Sequence, residues 1–129
     1  MVIQPHRAPW KGTEGARQQQ IGVLNACALA RNFQAYDFPA MIHDVISAET
    51  AKVYRQELSD YALKIVLLLP AFDEAARHND SRPARLTAAE IYLLYHAQSA
   101  FQDYDIRIDN TTLSADDVAI QLLAITEGR

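Results

Sequence analysis

The chain has 129 residues, of which 50% are hydrophobic, 9% aromatic and 22% charged, with only four Gly and five Pro. This composition excludes a disordered, collagen-like or disulfide-stapled protein, and the length suits one compact domain with its own core. The single cysteine, Cys27, has no partner for an intramolecular disulfide and is expected in the core beside Leu24 and Leu29.

The charge is unevenly distributed. The formal net charge is −4, and residues 1–102 contribute none of it because they hold ten acidic and ten basic side chains. The acidic C-terminal segment disfavours nucleic acid as a partner, since phosphate binding draws on positive charge. The longest apolar run, Ile65 to Leu69, is too short to cross a bilayer, and no signal peptide follows Met1. We therefore expect a cytoplasmic protein without a membrane partner.

Residues 1–16 are predicted to form an extended N-terminal arm. They contain Pro5, Pro9, Gly12 and Gly15 and show no helical or alternating pattern. The only tryptophan, Trp10, lies within this arm, and a large aromatic ring in a polar segment is usually buried against something. The favoured interpretation is an arm packed on its own domain; docking on a second chain and plain disorder are the alternatives.

Two helices are predicted next. Ile21, Leu24 and Ala28 recur at helical spacing and predict a helix over about 17–33. Asp37 can cap a short second helix with Pro39 in its first turn. The apolar face of this second helix would be Met41, Ile42, Val45 and Ile46.

The strongest periodic pattern alternates steps of three and four residues, which is typical of a heptad stripe. It predicts a long helix over 48–69, followed at Pro70 by a kink or by a new helix that ends near His78. Residues 78–83 are predicted to be a loop. The heptad series comprises Ala51, Tyr54, Leu58, Tyr61, Ile65, Leu68 and Phe72.

Two capping signatures place the last helices. Thr87 with Glu90 has the capping-box spacing and predicts a helix over 88–102, while Ser114 with Asp117 predicts a final helix that ends at Gly128. Residues 105–109 alternate but have no evident partner strand. The predicted fold class is all-α: a small irregular bundle of five or six helices, with an arm over 1–16 and a single helical domain over 17–129.

No catalytic or metal-binding motif is present. Glu74 and His78 are spaced to meet on one helix face, and a helix-end ion pair explains them better than a metal site. His96 lies among apolar neighbours and is interpreted as a core histidine. We expect no metal and no cofactor. The sequence leaves enzymatic activity open, although no nucleophile motif or glycine-rich loop argues for it.

Three groups of residues are candidates for binding partners. The basic residues Arg77, Arg82 and Arg85 could form a patch for a small anion or an acidic protein, with a solvated loop as the alternative. Asp116 and Asp117 in the acidic segment could steer a basic partner, with a solvated face as the alternative. The third group could form a helix interface or an internal core. It comprises Trp10, Tyr54, Leu58, Tyr61, Ile65, Tyr92 and Tyr95.

These observations favour a non-enzymatic helical protein that acts through protein-protein interaction, as a homodimer or in a complex. Regulator, chaperone and inhibitor are the accessory roles considered. The alternative is a small-ligand-binding protein or an enzyme with a pocket between the predicted 48–69 and 88–102 helices.

Overall fold

The computed structural model describes residues 5–83 and 85–127, and the chain divides between Leu63 and Lys64 into two compact units. The described part of the chain is mostly helical, as predicted, with five helices and one pair of short strands. The elements in chain order are α1 (Gly12–Ala35), α2 (Ala48–Glu57), β1 (Val66–Leu68), α3 (Phe72–Asp80), α4 (Ala88–Ala100), β2 (Ile106–Ile108) and α5 (Ala115–Thr126).

The first unit is built on the packing of α1 against the C-terminal part of α2. Val23, Cys27 and Ala30 recur along one face of α1 and are buried against Tyr54 and Leu58. Side chains three and four residues apart share a helix face, so this spacing gives α1 one continuous inner stripe. Partly buried side chains complete the cluster: Ala26, Ile46, Val53 and Leu63.

The segment before α1 folds back onto that helix. Its backbone is held by Gln18, whose Nε2 donates to the Pro5 carbonyl at 2.9 Å and whose Oε1 accepts the Arg7 amide at 2.7 Å. Helix α1 begins at Gly12 rather than at Arg17, so the predicted boundary was wrong. Residues 1–4 of the predicted arm lie outside the described residues.

Asp37 ends a helix instead of starting one, which corrects the predicted second helix. Its φ of +62° is left-handed, its amide donates to the Gln34 carbonyl at 3.0 Å, and the Phe38 amide donates to the Phe33 carbonyl at 2.9 Å. These two bonds are the Schellman pattern that closes a helix C-terminus. Residues 38–47 then run without regular structure to the capping box of Ser47 and Thr50 at the start of α2.

The predicted long helix over 48–69 was also wrong. Helix α2 stops at Glu57, the chain turns through residues 58–61, and the apolar run around Leu67 is extended. A short apolar run fits a buried strand and a buried helix equally well by periodicity alone. Pro70 neither kinks nor starts a helix, since α3 begins at Phe72.

The second unit contains a parallel strand pair that the sequence analysis did not foresee. Strand β1 pairs with β2 in the register Val66 to Ile106 and Leu68 to Ile108. At the start of the pair, the Ile65 amide donates to the Asp105 carboxylate at 2.7 Å, and the Ile65 carbonyl accepts the Asp105 amide at 2.8 Å. The buried apolar residues of the unit are Ile65, Leu67, Leu69, Phe101 and Ile108.

Helices α3 and α4 form the crossover between the two strands. The predicted loop over 78–83 starts later, because α3 continues to Asp80. The buried Asn79 side chain closes the connection, as its Nδ2 donates to the Leu86 carbonyl and its Oδ1 accepts the Leu86 amide, both at 2.9 Å. These bonds satisfy a loop backbone that is partly withdrawn from water.

The two predicted capping boxes are confirmed. The Thr87 side chain accepts the Glu90 amide at the start of α4, and the Ser114 side chain accepts the Asp117 amide at the start of α5. Helix α4 ends at Ala100, close to the predicted residue 102. Gly128, the predicted end of the last helix, lies outside the described residues. The organisation as an arm and a single domain stays a prediction, because compactness does not decide whether a unit folds independently.

None of the helices in residues 5–83 and 85–127 is both long enough and apolar enough to cross a bilayer.

Gly15 is predicted to be irreplaceable because the N-terminal segment passes directly over it. A Cβ atom placed on Gly15 would lie 2.0 Å from the Ala8 carbonyl oxygen, whereas one on Gly22 would meet nothing within 4 Å. Gly15→Ala should therefore lower the melting temperature and alter Trp10 emission as the segment is displaced. Gly22→Ala should raise stability by about 0.5–1 kcal/mol through helix propensity.

Thermal unfolding and tryptophan fluorescence of the two variants check this prediction. Equal stabilisation by both substitutions would contradict the close approach of the N-terminal segment.

Candidate interaction surface

Helix α1 has a second apolar stripe on the side away from the core. Leu29, Phe33 and Tyr36 are 59%, 52% and 79% exposed. With about 100° of rotation per residue, Leu29, Phe33 and the C-cap residue Tyr36 fall within an arc of about 60°. The centre of this arc lies roughly 120° around the helix from the centre of the buried stripe of Val23, Cys27 and Ala30. Helix α1 therefore carries two apolar stripes, of which one is buried in the core of this unit and the other is exposed.

The same apolar character continues past the end of α1. Phe38, Met41 and Val45 are 61%, 68% and 59% exposed, in a stretch without regular structure. Together with the α1 stripe they form a set that we call the α1 surface. The α1 surface comprises Leu29, Phe33, Tyr36, Phe38, Met41 and Val45.

After Arg31, the charged residues in the part of the chain that carries the α1 surface are all acidic. No Lys or Arg occurs over residues 32–51, where the charged residues are Asp37, Asp44 and Glu49. The nearest preceding base, Arg31, is engaged elsewhere, since its Nη1 donates to the Glu57 carbonyl at 2.8 Å and to the Glu57 carboxylate at 3.2 Å. The exposed apolar residues from Phe33 to Val45 thus lie in a stretch of sequence whose charged side chains are acidic.

Among the predicted partner-binding residues, the structure separates the heptad series between the two units. Tyr54 and Leu58 lie in the core of the first unit, where Tyr61 is 38% exposed in a turn, and Ile65 lies in the core of the second unit. Tyr54 and Leu58 thus pack in an internal core, which was the alternative to a helix interface for these residues. Trp10 lies in a turn and is 47% exposed, so the segment that carries it does not bury the indole fully.

Tyr54 is tied to the irregular segment by its hydroxyl. The hydroxyl donates to Asp44 Oδ2 at 2.8 Å, and Asp44 Oδ1 accepts the Val45 amide at 2.8 Å. Burial, and then the hydrogen bond to the Asp44 carboxylate, raise the pKa of Tyr54 well above its usual range. The phenol thus stays protonated and anchors the segment that carries half of the α1 surface.

In the second unit, Tyr92 and Tyr95 belong to an aromatic cluster on α4. The Phe72 ring lies 6.2 Å from Tyr92 and 5.2 Å from Tyr95, both edge to face, and the Tyr95 hydroxyl donates to the Pro70 carbonyl at 2.8 Å. His96 is exposed, with its ring 4.2 Å from Tyr92, so its interpretation as a core histidine was wrong.

The charged candidates are engaged locally. Asp117 completes the capping box of α5, and Asp116 lies exposed in the same first turn. Negative charge in the first turn of a helix interacts favourably with the helix dipole. Arg77 forms an ion pair with Glu74, whose pKa that hydrogen bond lowers, and His78 Nε2 lies 3.1 Å from the same carboxylate.

The remaining arginines of the predicted basic patch lie in the loop between α3 and α4. Arg82 is exposed, and Arg85 is exposed with its Nη1 3.5 Å from the Asp80 carbonyl. The function of this patch stays a prediction.

Cys27 is fully buried, and burial raises the pKa of its thiol, so it remains a neutral packing group. No group of three or more His, Cys, Asp or Glu side chains that could hold a metal ion occurs within residues 5–83 and 85–127. The alternative pocket was predicted beside a helix over 48–69, and that helix does not exist in the structure.

The sequence analysis missed the α1 surface because it assigned one apolar stripe to each helix. The spacing of Leu29, Phe33 and Tyr36 was available as a signal, together with the unusual density of apolar residues between Phe38 and Val45. Comparison of the chain with protein families, with curated proteins and with solved structures finds no match. The functional argument therefore depends on the residues themselves.

The raised pKa of Tyr54 predicts a loss of stability in alkaline solution. The unfolded chain releases the phenolic proton above about pH 10 and the folded chain does not, so stability falls as pH rises beyond that value. Tyr54→Phe should cost about 1 kcal/mol near neutral pH and should remove this part of the alkaline loss.

Urea unfolding at a series of pH values checks the effect, with Tyr61→Phe as the control at a more exposed tyrosine. A wild-type and a Tyr54→Phe chain with the same alkaline dependence would contradict it.

Proposed function

We propose that this protein acts by binding another protein through the α1 surface rather than by catalysis, as an accessory factor such as a regulator, chaperone or inhibitor. The observation that carries the proposal is the high exposure of six large apolar side chains between Leu29 and Val45. Exposed apolar patches of this kind mark interaction sites in folded proteins.

The composition of the α1 surface supports a protein as the partner. Aromatic side chains and methionine are enriched where proteins meet, and the surface contributes Phe33, Tyr36, Phe38 and Met41. These side chains lie along the end of a helix and the segment after it. An extended face of this form suits a helix or strand of a partner.

The acidic residues in this part of the sequence indicate the charge of the partner. Asp37, Asp44 and Glu49 are the only charged residues between 32 and 51, so a basic border on the partner would be complementary. Complementary charge around an apolar centre speeds association and rejects partners with the same charge. The proposed partner is an apolar segment flanked by Lys or Arg.

Paired substitutions on the two units test the proposal. Leu29→Glu with Phe33→Glu places charge on the α1 surface, and Ile120→Glu with Leu123→Glu places the same charge on exposed apolar positions of α5. In quantitative capture from a lysate of the source organism, the first pair should recover at least tenfold less partner protein than the wild-type chain does. The second pair should retain it.

Circular dichroism controls for folding, since exposed positions are expected to change stability little. Equal capture by both double variants, or no stoichiometric protein on the folded wild-type chain, would contradict the proposal.

A second candidate function, binding of a small polar ligand, is favoured by one atom at the carboxyl ends of the strands. Asn110 Oδ1 is buried and has no hydrogen-bond partner among the described residues. It lies in the loop after β2, where the Thr111 hydroxyl accepts the Ala71 amide at 2.8 Å and so joins the segments that follow the two strands. Ligands of α/β proteins bind at this end of parallel strands.

Asn110→Leu tests this second candidate. If the carbonyl oxygen serves a ligand, its removal should raise stability by about 1–3 kcal/mol and abolish binding of that ligand. Ligand-observed NMR with a panel of nucleotides, sugars and amino acids supplies the binding measurement. Absence of binding by every member of the panel would contradict the ligand site.

A further inference from the structure

The outer edge of β1 has open hydrogen-bonding groups. On the inner edge, the Ile65 carbonyl accepts a hydrogen bond from the Ile106 amide of β2 at 3.3 Å, and the Leu69 amide donates to the Ile108 carbonyl at 3.0 Å. Because alternate residues of a parallel strand face the same neighbour, Leu67 also faces β2, while Val66 and Leu68 direct their amides and carbonyls to the opposite edge. No residue in 5–83 or 85–127 hydrogen-bonds to these outward groups.

The two edges of this sheet differ in how they are protected. Natural edge strands carry charges, prolines or bulges that prevent pairing with another chain. Strand β2 has the exposed Arg107 at its centre, whereas the run from Ile65 to Leu69 contains no charge and no proline. A strand that is apolar on both faces is typical of the interior of a sheet rather than its edge.

The extent of the open edge is limited at its C-terminal end. Pro70 has no amide to donate, and its carbonyl already accepts the Tyr95 hydroxyl at 2.8 Å. Within β1 the edge therefore offers two residues, Val66 and Leu68, placed symmetrically on either side of Leu67. This short edge is complementary to itself under a two-fold rotation.

We propose that β1 pairs antiparallel with β1 of a second copy of this chain, around a two-fold axis at Leu67. Val66 then exchanges two hydrogen bonds with the partner subunit's Leu68, and Leu68 exchanges two with the partner subunit's Val66. The result is a continuous four-stranded sheet in which β1 becomes an interior strand. This interface uses none of the residues of the α1 surface.

Charge and side-chain chemistry favour a second copy as the occupant. The nearest charged residue, Lys64, lies three positions from the axis, so the two lysines of a dimer would stand about 20 Å apart at 3.4 Å per residue, well beyond the screening length. The half-buried Val66 and Leu68 side chains would form apolar cross-strand pairs, which stabilise antiparallel strands.

Proline substitution on each edge tests the proposal with a matched control. Leu68→Pro removes an outward amide of β1 and leaves the bonds between β1 and β2 in place. Arg107→Pro removes the equivalent outward amide of β2. Sedimentation equilibrium of the full chain should give a wild-type dimer, at least a tenfold higher dissociation constant with Leu68→Pro, and an unchanged one with Arg107→Pro.

Amide hydrogen exchange of the wild-type chain gives a second measurement that needs no variant. The amides of Val66 and Leu68 should be protected in concentrated solution and exposed on dilution, while that of Leu69, bonded to β2, stays protected throughout. A monomer at every concentration would overturn the proposal. So would a dimer that Leu68→Pro leaves intact, free exchange of both outward amides within a dimer, or their protection only by a different protein.

Discussion

The structure depends on a limit of size: each compact unit is too small to enclose the apolar side chains that it carries. Small units bury a lower fraction of their surface than large ones, and the first unit has two helices to share its core. Packing of Cys27 and its neighbours against Tyr54 buries one stripe of α1, while Leu29 and Phe33 on a second stripe stay more than half exposed. The α1 surface is the direct consequence, because Leu29 and Phe33 belong to the same helix as the core residues and Tyr36 is its C-cap.

The second unit meets the same limit in a different form. Its core is centred on two short strands, and neither α4 nor α5 contributes a fully buried residue. A pair of strands is marginal by itself and needs further strands or covering helices. The unprotected edge at Val66 and Leu68 is therefore the counterpart of the α1 surface. The feature of interest is a set of exposed side chains in the first unit and a set of open backbone hydrogen-bonding groups in the second. The two proposals assign different partners to the two features, which makes them independent of each other.

Local signals in the sequence predicted local structure well. The capping boxes at Thr87 and Ser114 depend on residues three positions apart, and both helices begin where those boxes place them. The predictions failed where the deciding partner was distant. The run around Leu67 became a strand because β2 pairs with it 40 residues along the chain, which no periodicity records. Asp37 has a side chain suited to a helix start, but its left-handed backbone ends α1. The α1 surface was missed because periodicity does not tell which of two apolar faces is covered.

The central claim is that the α1 surface is open in the isolated chain and covered in its working state. Hydroxyl-radical footprinting measures this directly, since Met41, Phe33 and Tyr36 combine reactive side chains with high exposure. The account predicts strong oxidation of these residues in the dilute purified chain and marked protection of the same residues in a native lysate, with Cys27 unreactive in both. Equal oxidation of the three residues in the purified chain and in the lysate would contradict it.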